Sequence, residues 1–289
     1  MSEDRFIFEK ERGRLYKLAY AMIGERATAE DMVQEAWIKW NRAKQSEIRE
    51  VSSYLTSIIV NLCLDELKSA RVRRENYVGP WLPEPVVTSA GEKLSDNPEM
   101  QYELSMAVMV ILEKLNPQER AIYVLNELFD YPFTKIGAML GKNDSACRKA
   151  GQRAREKLED ADLSGIRKSR CSHEYVADFL QALREGESDR LMQMLLDDAI
   201  IYSDGGGKVT AARKPIVGSD RICRFLLGVV SGVPGSTDVR IVDVNGRPGF
   251  EVYMDGCRHS VWSFRIEGDK IREIYAVLNP EKLQMANQN

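Results

Sequence analysis

The sequence lacks the cysteine and histidine patterns that hold a metal ion or a disulfide framework. None of its cysteines belongs to a Cys-x-x-Cys pair, and there are only two histidines, His173 and His259. Widely spaced cysteines without such pairs argue against a zinc site and against a disulfide-stapled fold. We therefore expect free thiols, no bound metal and no cofactor. The five cysteines are Cys63, Cys147, Cys171, Cys223 and Cys257.

Long apolar runs and a charge excess are also missing. No apolar stretch approaches the roughly 20 residues that span a bilayer, and the charged N-terminus has no signal-peptide core. These absences predict a cytoplasmic protein without membrane contacts. Net charge is −3, with 24 basic and 27 acidic residues in positions 1–165 and 17 of each in 166–289. Bulk charge thus does not favour strong DNA binding by the free chain, and any such contact must come from local patches.

The 289 residues suit two or three domains, and the pattern of apolar residues divides them. Residues 1–75 and 99–165 show the three- and four-residue spacing of amphipathic helices. Residues 76–98 between them contain four prolines and two glycines, which predict a linker. Fully extended, such a linker reaches about 70 Å, the length of about 20 base pairs. From about residue 170 to 289, two helices and then alternating runs predict an α+β domain with a curved antiparallel sheet.

Residues 133–158 have the layout of a DNA-reading helix-turn-helix. A short helix from Phe133 to Leu140 is followed by a turn at Gly141, and Asp144 or Ser145 is expected to cap the second helix. The second helix carries a row of basic and amide side chains: Arg148, Lys149, Gln152, Arg153 and Arg155. Such side chains can read base edges and bind phosphates. A solvated basic helix in an ordinary bundle explains the same segment equally well.

The order of the segments carries a family resemblance that no single segment does. The stretches ERGRLYKLAYAMIG, AEDMVQEAWIKW, SSYLTSIIVNLCLDELKSARVRRE and LEKLNPQERAIYVLNELFDYPFTKIGAMLGKNDSACRKAGQRAREKL together resemble an extracytoplasmic-function (ECF) sigma factor. The similarity covers nearly all of residues 5–160. The linker motif WLPEP and the later DGGGK and NPEKL resemble the SigJ-like subgroup, which has a fused SnoaL-like C-terminal domain. The resemblance implies two all-α domains, sigma-2 and sigma-4, followed by a cone-shaped α+β domain.

The resemblance also implies roles for individual residues. A helix carrying DxxQE, here Asp31, Gln34 and Glu35, docks on the coiled-coil clamp of the largest RNA polymerase subunit. The −10 promoter element is read by the loop at 43–50 and by Asn61, while phosphates are held by Arg71, Arg73 and Arg74. The −35 element is read in the major groove by Arg148, Lys149, Gln152 and Arg153. Gly151 departs from the family pattern, which more often has a larger residue there.

For the C-terminal domain, the resemblance implies regulation rather than chemistry. An enzyme needs a positioned acid–base pair, and the candidates Asp204, Asp255, His259 and Tyr275 stand in no arrangement specific enough for a mechanism. We expect the domain to pack on the sigma domains or on the linker and to set their separation. The residues expected to do so are Trp81, Leu82, Pro83, Asp204, Gly205, Gly206, Gly207, Lys208, Asn279 and Pro280.

The leading interpretation is a sigma factor that has no catalytic activity, is monomeric when free, and binds core RNA polymerase and promoter DNA. Two alternatives remain open at the level of sequence. One is a helix-turn-helix repressor with a ligand-sensing C-terminal domain, which needs no DxxQE helix. The other is a SnoaL-like enzyme fused to a DNA-binding module.

Overall fold

The computed structural model describes residues 3–43, 48–91, 104–159, 166, 171–232 and 236–283, without the side chains at positions 3, 4 and 70–75. The chain divides into two compact units. The first, called the helical unit, comprises Met1–Glu75 and Ile111–Ala161. The second, called the sheet unit, comprises Asn76–Val110 and Asp162–Asn289.

The first half of the helical unit is a bundle of α1 (Glu3–Ile23), α2 (Arg26–Arg42) and α3 (Val51–Glu75). Apolar residues three and four positions apart form one face of each helix, and these faces meet in a common core. Fully buried members of this core are Leu15, Leu18, Met22, Val33, Ala36, Trp40, Leu55 and Ile59. Gly24, with φ 77°, ends α1 in the left-handed conformation that glycine adopts without strain.

The second half of the helical unit contains the predicted helix-turn-helix. Helix α4 (Met106–Leu112) begins in the sheet unit and ends in the helical unit. After it, α5 (Pro117–Tyr123) and the π-helical turn Val124–Leu128 precede α6 (Phe133–Leu140) and α7 (Asp144–Leu158). The first helix of the motif has the predicted bounds, and Gly141 makes the turn at φ 62°. The prediction of the cap was wrong, because Asn143 caps α7 by accepting a hydrogen bond from the Ala146 N–H at 2.7 Å.

The sheet unit is built on seven strands in the order β1-β4-β5-β6-β7-β2-β3. Its helices are α8 (His173–Glu185), α9 (Ser188–Met194), α10 (Ser219–Ser231) and the short α11 (Pro280–Leu283). Its strands are β1 (Val87–Thr88), β2 (Leu195–Asp204), β3 (Ile216–Val217), β4 (Thr237–Val244), β5 (Arg247–Met254), β6 (Cys257–Glu267) and β7 (Lys270–Val277). The α+β class predicted for this part of the chain is confirmed.

Two features of this sheet differ from the sequence expectation. Strands β2 and β7 pair in parallel, whereas the sequence predicted an antiparallel sheet throughout. Alternation of apolar residues sets which face of a strand is buried but not the direction of a partner about seventy positions away. In addition, the predicted linker contributes strand β1 to the sheet edge, where Val87 and Thr88 pair with Val244 and Asp243 of β4.

One face of the sheet packs against α8, α9 and α10. Phe179 of α8, Ile222 and Leu226 of α10, and Phe250 and Phe264 of the sheet are buried in this apolar core. In the part of the chain that the structure describes, no helix is long and apolar enough to cross a bilayer. Within the same residues, no group of three His, Cys, Asp or Glu side chains is placed to hold a metal ion.

Candidate functional site

Helix α2 presents an acidic face opposite its buried face. The buried residues Ala29, Val33, Ala36 and Trp40 point to the bundle core. Residues spaced three, four and seven positions apart share one side of a helix. Asp31, Gln34, Glu35 and Ile38 therefore lie together on the outer side, and we call them the docking patch. Ile38 is 40% exposed, and the sequence prediction did not include it. A single exposed apolar side chain is common on protein surfaces, so Ile38 alone does not mark a binding site.

The residues predicted to read the −10 element are only partly described by the structure. Asn61 is exposed on α3, and its side-chain amide donates to the Ser57 carbonyl oxygen at 2.8 Å. The side chains of Arg71, Arg73 and Arg74, and loop residues 44–47, lie outside the described residues.

The residues predicted to read the −35 element lie together on α7. Arg148, Lys149, Gln152 and Arg153 are all exposed, while Cys147, Ala150, Ala154 and Leu158 face inward. Some of their polar groups pair with residues of the same helix: the Arg148 guanidinium lies 3.0 Å from the Asp144 carboxylate. These exposed ion pairs are weak and exchange readily for contacts with phosphates or bases.

The structure explains why position 151, where the family more often has a larger residue, is glycine here. A Cβ atom at this position would lie 2.9 Å from the ring of Phe133, so only glycine lets that ring cover α7. Gly137 of α6 is equally constrained, since a Cβ atom there would lie 2.6 Å from the Lys142 carbonyl oxygen. Both glycines thus fix the packing of α6 against α7 and take no part in the exposed basic face.

Within the helical unit, the second half packs directly on the first. The buried guanidinium of Arg120 donates to the carbonyl oxygen of Ala21 at 3.0 and 3.2 Å and forms an ion pair with Glu113. The Tyr131 hydroxyl lies 3.0 Å from the hydroxyl of Thr56 and accepts from Arg14 at 3.1 Å. The segments predicted to read the −10 and −35 elements are therefore in contact.

In the sheet unit, the Asp204 carboxylate is the centre of a buried hydrogen-bond network. Asp204 is fully buried and accepts from the Tyr77 hydroxyl at 2.6 Å, from the Leu82 N–H at 2.9 Å and from the Gly206 N–H at 3.1 Å. The Lys282 ammonium donates to it at 2.7 Å. Buried charges are stable only when they are paired and hydrogen-bonded, as this one is.

Two of those donors belong to the linker and two to the C-terminal domain. Lys282 also donates to the Leu82 carbonyl oxygen, and its ammonium stands 4.2 Å from the centre of the Trp81 ring. The Asn279 amide donates to the Tyr77 hydroxyl at 2.9 Å. Burial, together with the hydrogen bond to Asp204, raises the pKa of Tyr77 above its ordinary value. We call Tyr77, Leu82, Asp204, Asn279 and Lys282 the latch.

The glycines of the DGGGK turn make the latch possible. Gly206, at φ 60°, lies so close to Asn279 that an added Cβ atom would be 2.4 Å from its amide nitrogen. Gly207, at φ 70°, lies against Val78 of the linker in the same way. A side chain at position 206 would collide with Asn279 of the latch, and one at position 207 would push Val78 of the linker away. Lys208 forms an exposed ion pair with Glu281 at the edge of the latch.

Of the predicted regulatory residues, most lie in or beside this latch. Leu82 is 1% exposed and Pro83 is buried, while Trp81 is half-buried beneath Lys282. Sequence reasoning missed Tyr77 and Lys282. The NPEKL motif contains Lys282, but nothing in a sequence marks a lysine as buried.

The candidate acid–base residues of the C-terminal domain do not converge. Asp204 belongs to the latch, and Asp255 lies in the turn between β5 and β6 at φ 50°. Tyr275 is buried, and this burial, followed by the nearby Glu273 carboxylate that accepts its hydroxyl hydrogen bond, raises the pKa of Tyr275 well above its ordinary value. Of these four residues, only His259 lines the cavity that lies between the helices and the sheet of the sheet unit. The four side chains therefore form no common site.

Comparison with known proteins identifies two family regions in the helical part of the chain. Residues 7–73 match the family model for Sigma-70 region 2, and residues 105–158 match that for Sigma-70, region 4. The chain is 32% identical to the ECF RNA polymerase sigma factor SigJ of Mycobacterium tuberculosis (strain ATCC 25618 / H37Rv), over 95% of this chain and 91% of the relative. The chain belongs to the ECF RNA polymerase sigma factors.

A second relative and a solved structure also match the C-terminal domain. The probable ECF RNA polymerase sigma factor SigI of M. tuberculosis (strain CDC 1551 / Oshkosh) is 29% identical over 94% of this chain and 92% of its own. The crystal structure of M. tuberculosis SigJ has a TM-score of 0.79 and 29% identity, covering 98% of this sigma factor and 99% of that chain. Sigma factors bind core RNA polymerase and direct promoter-specific transcription, and this chain combines both sigma regions with a SigJ-like C-terminal domain.

Proposed function

We propose that this sigma factor regulates its own promoter engagement by holding its linker on the C-terminal domain. The observation that carries the proposal is the buried Asp204 carboxylate, which accepts hydrogen bonds from Tyr77 and Leu82 of the linker. Further along the linker, the Val86 N–H donates to Asn245 at 3.1 Å and the Gly91 N–H to Asp243 at 2.7 Å. The linker is thus tied to the domain from Tyr77 to Gly91.

Holding the linker on the domain limits how far the two DNA-reading segments can separate to reach both promoter elements. The fully extended linker reaches about 70 Å, the length of about 20 base pairs. The tied residues, 77–91, are fifteen of the twenty-three in the predicted linker 76–98. While they stay on the domain, only residue 76 and residues 92–98 are free to extend, and these eight add at most about 28 Å to the span of the tied segment. The latch therefore favours the closed helical unit, in which α3 contacts α6, and its release favours promoter binding.

We assign the exposed surfaces of the helical unit to polymerase and promoter as the sequence suggested. Asp31, Gln34 and Glu35 dock on core polymerase, with Ile38 as an apolar contact among them. Asn61, Arg71, Arg73 and Arg74 engage the −10 element, and Arg148, Lys149, Gln152 and Arg153 engage the −35 element. The protein acts in the cytoplasm as a monomer when free and has no catalytic role, which the scattered acid–base candidates support.

Replacing Glu35 by alanine is expected to weaken binding to core polymerase at least tenfold, about 1.4 kcal/mol. Its carboxylate lies on the docking patch, away from the bundle core, so the fold should be unchanged. Asp65→Ala is the matched control, because this carboxylate is exposed on α3 and outside the patch. A core-binding titration in which both variants match the parent would remove the docking assignment.

The regulatory proposal is tested by transcription in vitro with purified core polymerase. Lys282→Met keeps the side-chain length but removes the ammonium that joins Asp204 to the Leu82 carbonyl oxygen. We expect this variant to give several-fold more promoter-dependent transcript than the parent. The control, Lys208→Met, loses only an exposed ion pair and should behave as the parent. Equal yields from parent and Lys282→Met, with the variant folded, would show that the latch does not regulate.

A further inference from the structure

The sheet unit contains a cavity of about 490 Å³ between its helices and the concave face of the sheet. Helices α8 and α10 form one side, and strands β4, β5 and β6 form the other. Its deep wall is made of the buried side chains Phe179, Leu226, Phe250 and Trp262. The Phe250 and Trp262 rings are stacked, with centroids 5.4 Å apart.

A space of this size is not an ordinary packing defect. Protein interiors are close-packed, and voids larger than a water molecule are few. An unfilled apolar cavity also costs the dispersion contacts that its wall atoms would otherwise make. Pockets that hold small organic ligands have volumes of about 300–1,000 Å³, apolar walls and a small number of placed polar groups. The cavity has each of these properties.

The polar groups lie at one end of the cavity and set the chemistry of the ligand. Arg184, Asp238 and His259 line the cavity beyond the apolar wall. Asp238 is paired with Arg240 at 2.7 Å, whereas Arg184 has no ion pair with any residue that the structure describes. The charge at the mouth that is left for a ligand is therefore positive. Deeper in the cavity, the Trp262 indole N–H donates to the buried Ser260 hydroxyl at 2.8 Å, which fixes that wall.

We propose that this cavity binds an amphipathic small molecule, with an aromatic or polycyclic apolar body and one anionic group facing Arg184, as the effector of the latch. The effector role rests on the proposed function. Leu278 lines the cavity, and its N–H donates to the Asp204 carbonyl oxygen at 2.8 Å. The next residue is Asn279 of the latch, whose N–H donates to the same oxygen. A ligand that displaces Leu278 moves the backbone on which the latch is built.

The binding site is tested on the full chain with two dyes of the same skeleton. 1-Anilinonaphthalene-8-sulfonate carries one anionic group, and N-phenyl-1-naphthylamine lacks it. We expect one molecule of either dye per chain and a several-fold preference for the anionic one. Arg184→Gln should abolish the preference while leaving the uncharged dye unaffected. Val252→Trp, which fills the cavity, should weaken both dyes at least tenfold, and Val217→Trp, at an exposed position on β3, should change neither.

The outcomes separate the site from its effector role and from the latch itself. Absence of binding, or binding that Val252→Trp leaves unchanged while its melting curve matches the parent, would overturn the site. The effector role requires faster amide hydrogen exchange in residues 77–91 when 1-anilinonaphthalene-8-sulfonate is saturating. Unchanged exchange in this segment would overturn the effector role alone, because Lys282→Met tests the latch without any ligand.

Discussion

Replacing Asp204 by alanine is expected to destabilise the sheet unit by about 3–5 kcal/mol, the cost of breaking a buried ion pair from one side. The substitution leaves the Lys282 ammonium, which is 7% exposed, with the Leu82 carbonyl oxygen but no counter-charge. It also removes the acceptor of the Leu82 N–H. A loss of this size is a large share of the 5–15 kcal/mol that stabilises a typical protein. Urea titration followed by hydrogen exchange in peptides from β2 and β7 measures it.

A double variant tells whether the unpaired charge causes this loss. Adding Lys282→Met to Asp204→Ala removes both charges, so the double variant should be more stable than Asp204→Ala alone. Glu281→Ala is the control, because it breaks an exposed ion pair and should change stability by less than about 0.5 kcal/mol. If the stability loss of the double variant equals the sum of the losses of Asp204→Ala and Lys282→Met, the buried ion pair does not stabilise the latch.

Replacing Arg120 by methionine is expected to loosen the second half of the helical unit from the first. The Arg120 side chain is 2% exposed, and its guanidinium holds the Ala21 carbonyl oxygen near the end of α1. Hydrogen bonds from charged donors contribute about 1.5–3 kcal/mol, and the carbonyl left behind stays buried without that donor. We expect amide exchange in α3 and α6, which pack together, to rise about tenfold or more.

The matched control for this second prediction is Arg155→Met. Its guanidinium is half-exposed, pairs with Glu127 and lies over the Phe133 ring, all inside the second half, so its loss should leave exchange in α3 unchanged. Hydrogen exchange read by mass spectrometry distinguishes local opening from unfolding of the whole unit, since the peptides of α2 serve as an internal reference. Parent-like exchange in Arg120→Met would mean that other contacts hold the halves together.

The sequence predicted the helix-turn-helix well because its signals are local. The spacing of apolar residues predicted the bounds of α6. Gly141 predicted the turn, because glycine adopts the left-handed backbone conformation of this turn without strain. The cap was missed because Asn143, Asp144 and Ser145 are all favourable cap residues in a row. Choosing among them depends on backbone angles that a single sequence does not contain.

The latch was predicted only in outline because its contacts join distant parts of the chain. Family motifs pointed to Asp204 and Asn279, but the hydroxyl of Tyr77 meets the Asp204 carboxylate across 127 positions. The burial of Lys282 depends on Trp81 and Leu82 packing around it. No periodicity or propensity reports such contacts. The parallel pairing of β2 with β7 escaped prediction for the same reason.

Strand β1 gives the latched protein a further property. Its residues Val87 and Thr88 cover the outer side of β4, at Val244 and Asp243. When the linker leaves, that strand becomes an unprotected border with free backbone N–H and C=O groups, which invite a strand from another molecule. An unlatched sigma factor that does not find polymerase is therefore exposed to self-association. Under the proposed regulation, storing the linker on the sheet would also protect this edge of β4 from pairing with another molecule.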